Sequence, residues 1–289
     1  MNTQSTFGVR NKYFQSQYQI VLRRALVAEK ICTVDNGDEK TIQNPYGGQP
    51  TATIQAVAGT YSVSAWTITD DTLTVTDEVI YAEQIFAHDM FFAVFDIMAS
   101  RLDNMMYSIA FGIDKYVLNN LCANGTGGTG GNAYYQTPTG GFTVGANINT
   151  ILGNLLSVVA GYQNVSQGTY LVIENTDLPG FAVAGATSGF SVADSVLRNG
   201  LMNQWMGTDI YVVRSGTFVT ATLGSTSVTN SGYRLFGVKG VSTYASPRGL
   251  QYEEKGVTGK TGKEVVVYGL VGFKLWTQSA ALTVPIKLA

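Results

Sequence analysis

The sequence predicts an α+β fold, with one very long helix set among short strands. Three observations predict it. Between Asp89 and Leu121, apolar residues recur at Phe91, Phe95, Met98, Leu102, Met105, Ile109, Ile113, Val117 and Leu121. Those steps of three or four are the period of one helix face. On both sides of this stretch the chain turns to Thr, Val, Tyr and Gly in strand-like alternation. Only 13% of the 289 residues are charged, about half the usual ~25%. Thr, Ser, Asn, Gln, Gly and aromatics must therefore cover much of the surface, which suits a chain buried in an assembly better than a free monomer.

Residues 1–40 read as an arm. Up to Lys30, five basic residues (Arg10, Lys12, Arg23, Arg24, Lys30) stand against one acid, Glu29. Tyr18, Val21, Leu22, Ala25 and Leu26 can form one helical face. The basic residues make either a solvated face or an arm lying on a neighbouring subunit or near nucleic acid. Asp35-Asn36-Gly37-Asp38 is a turn. Thr41 to Ile80 reads as a long β-hairpin. Thr51–Val57 and Tyr61–Ile68 run outward, Asp70-Asp71 makes a tight turn, and Leu73–Thr76 answers as the return strand. Both faces carry apolar residues. A two-stranded hairpin is marginal alone in water, so Trp66 and Ile68 are expected to lie on another surface.

The long helix has no proline and one internal glycine, Gly112. Its length would be roughly 50 Å. Phe92, Met106 and Ala110 widen the apolar stripe, and Asp96, Arg101, Asp103 and Lys115 mark a polar side. Asp89 suits the helix dipole at the start, and Asn124-Gly125 stops the helix. Gly125 to Gly145 reads as a flexible loop. Ile148, Ile151, Leu152, Leu155, Val158 and Val159 predict a second amphipathic helix ending near Gly161. Tyr170–Glu174 is a buried strand. Asn175 or Thr176 then caps a helix with Pro179 in its first turn. Asp194–Met202 is a short helix or turn, and Ile210–Val213 a strand. Further strands follow at Tyr233–Val238, Gly249–Glu254, Val265–Phe273 and Ala281–Val284. A basic loop, KGVTGKTGK, lies between Glu254 and Glu264.

The chemistry-bearing motifs are weak. A net charge of −2 gives no electrostatic case for nucleic-acid binding by the whole chain. Gly125-Thr-Gly127-Gly-Thr-Gly130 follows a helix, and no acid occurs between Asp114 and Glu174, so the dinucleotide mechanism lacks its parts. Gly259-Lys260-Thr261 lacks the earlier glycine of a phosphate loop, because Glu254 stands there. His88 is the only histidine, and no serine sits in a nucleophile elbow. Asp70-Asp71 and Glu253-Glu254 are adjacent pairs, which point to opposite faces of a strand. Cys32 and Cys122 make neither a disulfide framework nor a metal site. No apolar run reaches a membrane span, and the N-terminus has no signal-peptide core. The expectation is a soluble chain, intracellular when made, with no enzyme activity, cofactor or metal.

The order of elements is a basic arm, hairpin, very long helix, glycine loop, α/β unit and terminal strands. In that order the chain resembles the major capsid proteins of tailed bacteriophages with the HK97 fold. Thr72-Leu-Thr-Val-Thr-Asp77, Ala87-His-Asp89 and Met98-Ala-Ser-Arg-Leu-Asp103 resemble the end of that family's extended loop and its spine helix. Asn203-Gln-Trp-Met-Gly-Thr-Asp-Ile-Tyr-Val-Val213 resembles its G-x-x-V strand entry, and Tyr268-Gly-Leu-Val-Gly-Phe to Val284 its closing strands. The resemblance implies an N-terminal arm (1–42), an extended loop (43–80), a peripheral domain with the spine helix (81–145) and an α/β axial domain (146–232). Residues 233–289 supply returning strands to both domains.

It also implies a structural subunit that self-assembles, as hexamers and pentamers, into an icosahedral head. That head would enclose double-stranded DNA without sequence-specific binding. The expected location is the virion, with assembly in the host cytoplasm. An encapsulin-like compartment shell is the alternative. Subunit contacts are expected at Trp66, Ile68, Asp70, Asp71, Arg23, Arg24, Lys255, Lys260 and Lys263. The arm starts near Met1, which implies a separate scaffolding protein; a portal and cement proteins complete the partners. Some relatives crosslink through an extended-loop lysine, but no lysine lies between Lys40 and Lys115. No such crosslink is expected here.

Overall fold

The computed structural model describes residues 26–47, 54, 59, 67–87, 97–161, 168–187, 204–247, 249–257 and 261–289. Outside them lie Arg23, Arg24, Trp66, His88 and Lys260, the start of the long helix at Asp89–Asp96, the Thr51–Val57 alternation apart from Ile54, the Tyr61–Trp66 part of the following run, and Asp194–Met202.

The first elements among the described residues are one helical turn, α1 (Ala28–Ile31), and β1 (Thr33–Asp35). Next come β2 (Thr41–Gly47), β3 (Ile68–Thr74) and β4 (Asp77–Phe86). Helix α2 (Ile97–Asn124) follows and runs 28 residues, ending at the Asn-Gly pair the sequence marks. Met105, Met106, Ile109, Ala110, Ile113, Val117 and Leu121 are all buried, so both apolar rows face the core. The chain then passes through β5 (Tyr135–Gln136), α3 (Gly145–Ala160), β6 (Thr169–Glu174), α4 (Leu178–Thr187), β7 (Gln204–Trp205) and β8 (Thr208–Val213). A small hairpin, β9 (Thr220–Leu223) and β10 (Thr226–Thr229), precedes β11 (Tyr233–Val238) and β12 (Ser242–Ala245). The last strands are β13 (Gln251–Gly256), β14 (Gly262–Leu275) and β15 (Thr283–Lys287).

Two larger sheets share α2. One has six strands in the order β5-β15-β11-β6-β8-β7. All six residues of β6 are buried, as expected of a central strand covered on both faces. Helix α3 buries Ile148, Ile151, Leu152, Leu155 and Val159 and stops at Gly161. The other sheet runs β1-β12-β14-β13, with β4 also paired to β14. Residues 233–289 thus divide between the sheets: β11 and β15 in the first, β12 to β14 in the second.

Four readings change. Asp70 and Asp71 do not form the hairpin turn: β3 pairs with β2 so that Asp70 faces Pro45 and Asp71 faces Asn44 in mid-strand. The local pair of aspartates is overridden by a tertiary tie at Asp71, described below. The first part of the glycine stretch after α2, Gly125 to Gly128, is a packed passage, not a loose loop. Gly127 N donates to Thr283 O at 3.0 Å, and a Cβ on Gly125 would sit 2.7 Å from Thr283 O. The helix after β6 is entered through Glu174, whose backbone N–H donates to Asp177 Oδ2 at 3.1 Å, not through a cap at Asn175 or Thr176. Finally, the inner end of the expected arm belongs to the body. Leu26 and Ala28 are fully buried, and β1 pairs in parallel with β12.

Candidate assembly surfaces

The β2–β3 hairpin leaves the body from a small apolar root. Leu73, Val75, Ala245 and Trp276 form a cluster of their own, with Ile42 packed against it. Asp71 locks this root. Its Oδ2 accepts bonds from Thr277 N and Thr277 Oγ1, both at 2.8 Å, and its Oδ1 pairs with Lys274 at 2.9 Å. Burial pushes the Asp71 carboxyl up, but the Thr277 bonds and Lys274 outweigh it and hold the group below its usual value. Asp70 points away and is exposed, as alternation on a strand requires. Ile68 is 56% exposed.

The five-stranded sheet has one covered face. Helix α2 packs against β4 and β14, with Ile85, Val265, Val267 and Val271 buried in the shared core. On the opposite face, the register pairs Ile80 with Tyr268 and Glu78 with Leu270. Ile80 and Leu270 are 60% and 51% exposed. Large apolar side chains are thus left open to solvent on this sheet face.

Lys255 and Lys263 lie on β13 and β14, not on a loop. Lys255 pairs with Glu253 at 3.1 Å and Lys263 with Glu254 at 2.9 Å. Each has an acid of its own chain beside it. The β13–β14 pairing extends to Gly256 opposite Lys263, so the strands consume both ends of the KGVTGKTGK stretch.

Several buried polar groups escape notice in the sequence. Asp114, on α2, accepts bonds from Val27 N at 3.1 Å and Ala28 N at 2.8 Å. It thereby holds the first turn of α1, where free N–H groups need acceptors. Burial pushes its carboxyl up to about 6 despite those two bonds. Arg234, on β11, is buried between Asp177 and Glu174, reaching Glu174 at 3.2 Å. Glu174 Oε1 also accepts from Gly216 N at 3.0 Å and Thr217 N at 3.2 Å. The only sequence signal for these residues was a charge inside an apolar run.

The two cysteines are buried and free, and burial pushes both thiols up to about 12. Among the described residues, no group of three His, Cys, Asp or Glu could hold a metal ion. Among them, too, no helix is long and apolar enough to cross a membrane.

No family model and no curated protein sequence matches the chain. Solved structures do. The mature capsid of bacteriophage PhiM1 superposes with a TM-score of 0.66 at 10% identity, over 91% of this chain and 87% of that one. The capsid of cyanophage P-SCSP1u gives 0.63 at 15% identity, over 91% and 88%. A virus-like particle from Pyrococcus furiosus gives 0.61 at 10% identity, over 96% and 98%. Identities this low carry the architecture, and the coverage means the likeness takes in both sheets and the helix between them. The chain therefore has the HK97-type fold shared by these phage capsids.

Proposed function

We propose that this chain is the major capsid protein of a tailed phage, a structural subunit that assembles with its own copies into an icosahedral head around double-stranded DNA. The observation that carries the reading is the end-to-end likeness to phage capsids, over about nine tenths of both chains. Two features of the chain support it. A two-stranded hairpin stands on a small root, and such a hairpin needs a further surface. The outer sheet face keeps Ile80 and Leu270 exposed. The role is structural rather than enzymatic.

In this reading, residues 1–42 act as the arm, its inner end from Leu26 to Asp35 seated in the body, 43–80 as the extended loop, its end from Asp77 paired into the five-stranded sheet, 81–145 as the peripheral domain and 146–232 as the axial domain. Trp66 and Ile68 contact an adjacent subunit, and Asp70 lies on the exposed side of the same hairpin. Asp71 acts indirectly, by holding the root. Arg23, Arg24 and Lys260 join the contacts, and Lys255 and Lys263 do so with their own acids beside them. Hexamers and pentamers, a separate scaffolding protein, a portal and cement proteins are the partners, and the virion is the location.

Electron microscopy of the purified chain tests this. Closed shells are expected once the scaffolding partner is supplied, with DNA inside those taken from virions, and a chain that stays monomeric even then would overturn the reading. The likeness to the Pyrococcus virus-like particle favours a compartment shell as the second reading, and DNA-free shells loaded with protein would select it. Because the extended loop holds no lysine, denatured particles should run as one band near 30.9 kDa.

A further inference from the structure

The small hairpin β9–β10 pairs with no other strand among the described residues. Strands of four residues do not hold such a hairpin by themselves. It lies against α2 and is fastened at two places.

The foot is fastened at Asn119 of α2, which is fully buried. Asn119 Oδ1 accepts from Val219 N at 3.1 Å, and Asn119 Nδ2 donates to Thr217 O at 2.7 Å. Asn230 Nδ2 donates to Asn119 O at 2.8 Å. Val228, on the inner side of β10, is buried. Thr217 and Asn230 flank the hairpin where the chain leaves β8 and enters β11, so the foot belongs with the six-stranded sheet.

The tip is fastened at Asp77, the first residue of β4, so it belongs with the other sheet. Asp77 Oδ1 accepts from Ser225 N at 2.8 Å, and Asp77 Oδ2 from Ser225 Oγ at 3.2 Å. The Tyr116 hydroxyl of α2 donates to the same Oδ2 at 2.6 Å. Gly224 turns the tip with a φ of +60°, and a Cβ there would lie 2.5 Å from Asp77 Cγ.

We propose that β9–β10 is a releasable strap. With its tip seated on Asp77 it holds the two sheets in one relative orientation across α2. With the tip unseated the sheets can turn against each other, while Asn119 keeps the foot in place. The tip is the end that lets go. The foot spreads its bonds over two buried amides and an apolar anchor, whereas both tip bonds end on one carboxylate and are lost together. The tip residue Ser225 is itself exposed. Tyr116 is kept a donor, because burial and then the Asp77 charge push its hydroxyl well above the usual tyrosine value. Asp77 also begins two residues after Val75 of the β2–β3 root, so release of the strap loosens the seat of the projecting hairpin. The use of such a device rests on the shell reading, in which identical subunits occupy hexamers and pentamers at different angles.

Hydrogen exchange of the purified chain tests the strap. Gly224→Ala pushes the tip off Asp77 without removing any hydrogen-bonding group, and Asp77→Ala removes the seat. Both should speed exchange across 220–229 and 77–81 by about tenfold or more, with 169–174 unchanged, as a local opening does. Tyr116→Phe should leave 220–229 slow, because Ser225 keeps its acceptor. Unchanged exchange in 220–229 for both strap variants would overturn the proposal. So would an equal acceleration in 169–174, which would mean general loosening. These readings need no shells, so failure of the strap leaves the shell function standing, and absence of shells leaves the strap standing.

Discussion

Arg234→Met should cost this chain a large part of its stability. The guanidinium is 5% exposed and faces Asp177 at 2% and Glu174 at 10%. Methionine fills similar volume but leaves two carboxylates in the protein interior with no cation. Breaking a buried ion pair from one side costs about 3–5 kcal/mol, because the remaining charge is uncompensated. Glu174 keeps the backbone N–H groups of Gly216 and Thr217, and Asp177 keeps that of Glu174, which places the cost toward the lower end. For a chain of this size a loss of this order lowers the melting temperature by roughly 5 °C. Circular dichroism of the unassembled chain at pH 7 measures it. The combined change Arg234→Met, Glu174→Gln, Asp177→Asn should recover part of the loss, since no buried charge remains. A shift under about 2 °C for Arg234→Met would refute the reasoning, as would a triple variant less stable than the single one.

Three further outcomes are expected. Asp114 has its folded value raised by burial from 3.8 to about 6. Between those values the folded state therefore binds more proton than the unfolded one, and this group's contribution to stability rises as pH falls from above 6 toward 3.8. Melting curves at pH 7.5 and 5 should show that component in the wild type and lose it in Asp114→Asn; parallel profiles would contradict the assignment. Cys32 and Cys122, with thiols pushed up to about 12, should resist a thiol-specific reagent in the native chain and react on unfolding; rapid labelling of either in the native chain would count against their burial. Gly125→Val should destabilise the end of α2, because its Cβ would lie 2.7 Å from Thr283 O; a melting temperature equal to wild type would show that β15 can move aside.

Much of the architecture was legible in the sequence because it is periodic. The α2 rows at Met105, Ile109, Ile113 and Val117, and the α3 row at Ile148, Ile151 and Leu155, announce their helices through spacing alone. The uninterrupted apolar run at Tyr170–Ile173 announces a strand covered on both faces. None of these needs to know what the element packs against, because a repeat of 3.6 or 2 residues is a property of the chain itself.

What only the tertiary structure decided are the single polar residues and the pairing of distant strands. Asp71 reads locally as part of a turn and becomes mid-strand because Thr277 and Lys274, about two hundred residues away, supply its partners. The glycines at 125 and 127 look like a loose loop until β15 is laid against them. Asp77, Asp114 and Arg234 carry no period and no neighbouring motif, so nothing nearby marks them. Each is placed by the desolvation cost of a buried charge, which must be met by a donor or counter-charge from another element. That requirement acts through space rather than along the chain, and it emerges only once the two sheets have closed around the helix.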